Sequence, residues 1–243
     1  MTKSRPDGYT MQLMVGGQTV SAALYKSLPY DSVADYEFIS TINRFPFLVA
    51  ARKGAYASLK DLVAKAKAQP GQLNIGHSGA GTTQHLTGEL LALQAGARFV
   101  QVPYQGGIAA STALLRSEVD LLIDAGTVIT NQVAAGTFEI LAVSSKERWP
   151  RTPSIPTIAE TVAPNFDVVS WTGLAFPTGT PKHIVDKIRT ELHRAINVLE
   201  VQQRLRTLDS EPAASSGEEM LALVKRQIAM WTEVVAETGL EKR

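Results

Sequence analysis

Between residues 74 and 90 the chain reads NIGHSGAGTTQHLTGEL, and three kinds of chemistry compete for that run. Gly76-His77-Ser78-Gly79-Ala80 follows the G-x-S-x-G nucleophile elbow except at its last position, where Ala80 stands for glycine. In that reading Ser78 sits on a strained strand-to-helix turn and attacks an acyl carbon. Its supporting parts are missing. No H-G-G-G oxyanion run lies upstream, and the only histidines after residue 85, His183 and His193, fall in an amphipathic helical pattern. The second reading is a phosphate loop. Gly76 and Gly81 have the Walker A spacing, but Thr82 stands where lysine must meet the phosphates, and no G-x-G-x-x-G occurs.

The third reading is capture of a small anion without chemistry. The first turn of a helix leaves N–H groups unpaired and carries about half a positive charge, so it attracts carboxylates. Gly79 and Gly81 let a ligand approach the backbone, and Ser78, Thr82 and Thr83 add hydroxyls. With no lysine or arginine from 71 to 97, the helix end and the hydroxyls must supply most of the local attraction. An ordinary capped helix with Thr82 as N-cap reads the 78–83 stretch equally well.

Other residues add to the picture. Gly16-Gly17-Gln18-Thr19 follows a strand-like run and forms a second small-residue loop. Asp124 follows the apolar run Val119–Ile123; a carboxylate buried there needs a donor or cation, from the protein or from a ligand. The histidines His77, His85, His183 and His193 make no H-E-x-x-H or other metal spacing, so neither a metal nor a cofactor is expected. His85 reads as a packing or hydrogen-bonding residue, and His183 as a solvated one.

The elements that must position these residues alternate between strand and helix, the pattern of an α/β fold with largely parallel sheets. Strands are expected near 9–15, 37–42, 46–51, 72–76, 98–102, 119–123, 139–143 and 168–176. Helices are expected at 58–68, with Ser58 and Asp61 as cap partners, and at 82–94. Two more are expected at 181–197, opened by Pro181, and near 217–237, with Ser216 and Glu219 as box partners. In open α/β sheets ligands sit at the carboxyl ends of strands, so loops 16–19, 78–83 and 103–107 with Asp124 are expected to converge on one cleft.

Composition narrows the function classes. Lys+Arg at 24 against Asp+Glu at 23 leaves a net charge of +1, which gives nucleic acid no basic surface to meet. With 44% hydrophobic residues the 243-residue chain can bury a core. The absence of cysteine excludes disulfides and thiolate catalysis. The opening MTKSRPDGYT has no apolar core of a signal peptide. No Ser/Gly linker separates two domains. If there are two, the chain crosses between them in ordinary extended segments, best at 44–51 and 167–176.

Taken together, PDGYT at 6–10, LYKSLPYD at 24–31, AKAQPGQLNIGHSGAGTTQHLTGELL at 66–91, VPYQGG at 102–107, VDLLID at 119–124 and WTGLAFPTGTP at 171–181 resemble the Bug-type solute receptors. These are the substrate-binding components of tripartite tricarboxylate transporters. The resemblance implies a non-catalytic periplasmic receptor of the type II periplasmic-binding-protein fold: two α/β lobes, two crossing strands, and a small carboxylate held between them. Lobe 1 would comprise 1–47 and 171–243, and lobe 2 residues 48–170. The ligand would meet Ser78, Gly79, Gly81, Thr82 and Thr83 from one lobe and Gly17 and Gln18 from the other. Asp124 stands where amino-acid-binding members meet an ammonium group. The partners implied are the membrane components of the transporter.

The departures are also expectations. Family members open with a signal peptide and then a strand, a loop, a helix and a strand before PDGYT, so lobe 1 is expected to lack its first strand-helix-strand. This form is then either cytoplasmic or assigned a late start. The readings kept beside the receptor are an α/β-hydrolase using Ser78 and a truncated remnant that no longer binds solute.

Overall fold

The computed structural model describes residues 3–242. The chain divides into two compact units: unit 1 is the chain up to Phe45 together with Ser170 onward, and unit 2 is Pro46–Val169.

Unit 1 starts with strand β1 (Gln12–Val15) and helix α1 (Gly17–Leu24), joined by Gly16 alone. Strand β2 (Tyr36–Arg52) begins in this unit and runs on into unit 2. The two strands expected at 37–42 and 46–51 are therefore one. Pro46 lies inside this strand: proline lacks only the N–H, and its fixed φ suits extended chain. The return path contributes β7 (Val169–Pro177), α7 (Lys182–Ile196), α8 (Leu199–Thr207), the two-residue β8 (Glu211–Pro212) and α9 (Gly217–Thr238). β1 lies antiparallel to β7, and β8 antiparallel to Asn43–Arg44 of β2.

The packing face of α9 carries Met220, Val224, Trp231, Val234 and Val235, with Met220 and Val224 against Met14, Phe38 and Trp171. Its start is a capping box in which Ser216 Oγ accepts the Glu219 N–H and Glu219 accepts the Ser216 N–H. One buried position on this face is polar. Gln227 Oε1 accepts from the Trp171 indole at 2.8 Å, which satisfies a donor the core could not otherwise hold.

Unit 2 holds the rest of β2 with α2 (Leu59–Ala68), β3 (Asn74–His77), α3 (Thr83–Ala95), β4 (Val100–Pro103), α4 (Gly107–Leu115), β5 (Leu121–Ala125), α5 (Gly126–Ala134), β6 (Phe138–Val143) and α6 (Ile158–Thr161). β3 lies parallel to both β4 and β5, while β2 runs antiparallel to β5 and β6. The sheets are mixed rather than largely parallel, because β2 enters against the direction of the βα units. Leu48, Ala50, Leu114, Leu122, Ile129 and Phe138 fill one buried cluster of this unit. The parallel trio β4-β3-β5 brings three strand carboxyl ends to one side, which is where a ligand site belongs.

β1 has one hydrogen-bonded neighbour among the described residues, β7, and it exposes Leu13 at 59% and Val15 at 46%. A short apolar edge strand invites edge-to-edge association. Leu13→Lys should reduce concentration-dependent association in light scattering while changing stability by less than about 0.5 kcal/mol. Unchanged association would acquit this edge.

Candidate functional site

β3 ends at His77, and Ser78–Thr82 turns the chain into α3. Thr82 is the N-cap: its backbone is extended and its Oγ1 accepts the His85 N–H at 3.3 Å. Gly79 and Gly81 take φ of 144° and 80°, values a side chain would strain. The loop is tied largely to itself. Thr82 Oγ1 donates to Gly79 O at 2.7 Å and the Thr82 N–H reaches the same carbonyl at 3.3 Å. The Gly81 N–H meets His85 Nδ1 at 3.3 Å, and His77 Nδ1 lies 3.0 Å from Gly79 O and 3.3 Å from the Gly79 nitrogen, donating to the first or accepting from the second according to its tautomer. The β4–α4 turn is latched on by Tyr104 N–H to His77 O at 3.0 Å and Gly106 N–H to Ser78 O at 3.2 Å.

This accounting shows which donors are left for a ligand. Ser78 Oγ, the Ala80 N–H, the Thr83 N–H and Oγ1, and the Gln84 N–H have no hydrogen-bond partner among the described residues. Thr82 Oγ1 and the Gly79 and Gly81 amides, read from sequence as donors to a ligand, are engaged inside the loop. Ala80 and Gln84 were not singled out in the sequence. The signal was there: once Thr82 is the N-cap, the N–H groups of Thr83 and Gln84 are orphans by construction.

Asp124 lies at the carboxyl end of β5, opposite Leu48 of β2, and is 2% exposed. Its Oδ1 accepts from the Gln84 side-chain amide at 2.9 Å and from the Ala125 N–H at 2.8 Å. Its Oδ2 is buried with no partner among the described residues. Burial pushes this carboxyl above the usual carboxylate range, against the pull of Gln84 and the Ala125 N–H. Gly107 leaves the room beside it: a Cβ there would stand 2.7 Å from Asp124 Oδ2 and 2.7 Å from Val128 Cγ2. Gln84 thus links the helix that offers N–H groups to the acid whose Oδ2 lacks a partner among the described residues.

Two histidines lie under the loop. The His77 and His85 rings are 4.6 Å apart and tilted by 32°. His77 is fully buried, and its imidazole is pushed down to about 4, first by burial and then by the charge of His85. His85 Nε2 lies 3.6 Å from Glu89.

The remaining sequence-derived residues lie in unit 1. Gly17 and Gln18 are helical, the first residues of α1, so the expected 16–19 loop shrinks to Gly16; Thr19 Oγ1 closes that turn on Gly16 O at 2.7 Å. Gln18 donates to the Tyr36 hydroxyl at 2.9 Å and accepts from Gln12 at 3.0 Å. His183 is exposed on α7, and the His193 ring lies within hydrogen-bond distance of Ser40 Oγ and Ser215 O. Among the described residues no group of three or more His, Cys, Asp or Glu could hold a metal, and no helix is long and apolar enough to cross a membrane.

Comparison with known proteins follows the same line. The family model described as "Tripartite tricarboxylate transporter family receptor" matches residues 1–240. BugT of Bordetella pertussis is 29% identical over 240 residues, covering 98% of this chain and 74% of that protein. R. palustris Rpa4515, solved with adipate, superposes with a TM-score of 0.90 at 31% identity over 98% of this chain and 80% of that one. MatC from Rhodopseudomonas palustris, solved with bound malate, gives a TM-score of 0.85 at 28% identity over 96% and 81% of the two chains. The two-lobed periplasmic-receptor fold is theirs, and these proteins are solute receptors rather than enzymes, which removes the esterase reading of Ser78. With the fold, the strand-end loop and the match along the chain in agreement, the chain belongs to the tripartite tricarboxylate transporter receptor family, among its Bug-type members.

Proposed function

We propose that this protein is a periplasmic receptor that holds a small dicarboxylate at the start of α3 and presents it to the membrane components of a tripartite transporter. The observation that carries the reading is the cluster of unengaged donors, Ser78 Oγ, Ala80 N–H, Thr83 N–H and Oγ1 and Gln84 N–H, beside the unpartnered Oδ2 of Asp124. Adipate and malate in the two solved relatives support the ligand class. The magnitudes are sufficient. Hydrogen bonds to a carboxylate contribute about 1.5–3 kcal/mol each. The helix terminus adds about 0.3–2 kcal/mol. Three or four such contacts reach micromolar affinity, about −8 kcal/mol.

Asp124 favours a second feature in the ligand. A buried carboxylate oxygen with no partner among the described residues is the natural partner of an ammonium group, so amino-dicarboxylates are the preferred subclass. Calorimetry at pH 7 with succinate, malate, adipate, aspartate and glutamate tests the reading. At least one should bind, and Thr83→Val should weaken it by roughly 1.5–3 kcal/mol through loss of one hydroxyl to the carboxylate. A ligand whose affinity ignores Thr83→Val and Ser78→Ala is bound elsewhere, and a chain that binds none is not a dicarboxylate receptor.

A further inference from the structure

The loop's own hydrogen bonds carry an inference about how the proposed seat is controlled, and it rests on reading that seat as a carboxylate site. The Gly81 N–H lies in the middle of the donor run, between Ala80 and Thr83, yet it is turned to His85 Nδ1 at 3.3 Å. A neutral imidazole can accept there only if its proton is on Nε2, the nitrogen 3.6 Å from Glu89. A proton arriving at Nδ1 changes that nitrogen from acceptor to donor, so it can no longer hold an N–H group. We propose that His85 is a proton-responsive positioning residue: neutral, it withholds the Gly81 N–H from the seat, and protonated, it releases that N–H and places a positive charge under the loop.

His77 and Glu89 are the ionisable groups in contact with the His85 ring. α3 packs on β3, β4 and β5. Glu89 is the only other ionisable side chain on α3, and it faces Nε2 and stabilises an imidazolium. His77 is the only ionisable side chain on β3, and its ring 4.6 Å away opposes a second positive charge. β4 contributes none; Tyr104 follows it, a phenol whose ionisation burial pushes upward. β5 contributes Asp124, one side chain removed through Gln84. Burial holds His77 down at about 4, so it stays neutral through the range in which an ordinary imidazole titrates. Both results of protonating His85, a freed donor and an added cation, strengthen an anion's hold. By linkage, a bound carboxylate must in turn raise the proton affinity of His85.

Two measurements test this on the full chain. In the ligand-free protein, the Gly81 amide resonance should move together with protonation of the His85 ring as the pH is lowered. In the His85→Asn protein, which keeps an acceptor but cannot take a proton, that response should vanish. In calorimetry, adipate and malate should bind about tenfold more tightly at pH 6 than at pH 8 to the natural protein, with a flat profile for His85→Asn. A Gly81 amide indifferent to the His85 ring overturns the proposal, and this arm needs no variant to fold. Equal pH profiles of adipate or malate binding in the two proteins also overturn it. If neither probe binds at any pH, the dicarboxylate reading for them falls, while the proton control of Gly81 is still decided by its amide.

Discussion

Asp124→Asn should divide ligands by charge. At pH 7 aspartate and glutamate should lose about 2–5 kcal/mol of binding, the usual effect of breaking a desolvated charge pair, while succinate, malate and adipate change little. The same substitution should make the ligand-free protein more stable. Asp124 is buried and its carboxyl is pushed above the usual range, so its folded-state pKa exceeds the unfolded one. The folded protein then holds the proton more tightly, and stability falls as pH rises through the window above 3.8. Above the folded-state pKa that cost is present in full. Asparagine keeps the Oδ1 acceptor for Gln84 and Ala125 and removes the charge, so a gain of roughly 0.5–2 kcal/mol is expected in urea unfolding. Equal losses for both ligand classes would make Asp124 a structural residue and end the ammonium assignment. A drop in ligand-free stability would show that Oδ2 has a stabilising partner after all.

The second large effect is acid lability set by His77. Its folded-state pKa of about 4 lies below the ordinary 6.5, so the unfolded chain takes up the extra proton in between. Stability from this group is complete above pH 6.5 and is lost as pH falls toward 4. Between pH 7 and 4.5 the loss should be roughly 2 kcal/mol. His77→Asn retains an acceptor in place of Nδ1 and has nothing to protonate. Urea unfolding of both proteins at a series of pH values isolates the difference in slope, because carboxylate titrations are common to both. Parallel slopes would mean that His77 is protonated without unfolding.

What could be read from the chain follows the range of the forces involved. The Ser58 cap with Asp61 and the Ser216–Glu219 box are local hydrogen bonds across three residues, and both ends lie where the sequence puts them. The family resemblance was legible for a similar reason, since its longest block is a contiguous strand, loop and helix. β2 was not, because whether Pro46 interrupts a strand depends on whether a neighbouring strand requires an N–H at that position. Nor was the mixed direction of the sheets, which is a property of strand pairs rather than of strands. Gln227 reads as a flaw in an apolar stripe until Trp171, more than fifty residues away, supplies its donor. In the site, the helix cap and the glycines were visible. The His77–His85 stack was not, because the stack brings a strand's last residue against a side chain on the helix that follows it. The turn of the Gly81 N–H toward His85 Nδ1 is hidden in the same way.

The pairing of β1 with β7 has a consequence for how the chain is made. Val15 and Thr172 are register partners with more than 150 residues between them. At a synthesis rate of about 5–20 residues per second, β1 waits roughly ten to thirty seconds for its partner strand. Unit 2, Pro46–Val169, is synthesised within that interval. Leu13 and Val15 meanwhile leave the ribosome as an unpaired apolar strand. For these few residues the time spent waiting, rather than the strength of the final pairing, sets the exposure to chaperones and to other nascent chains.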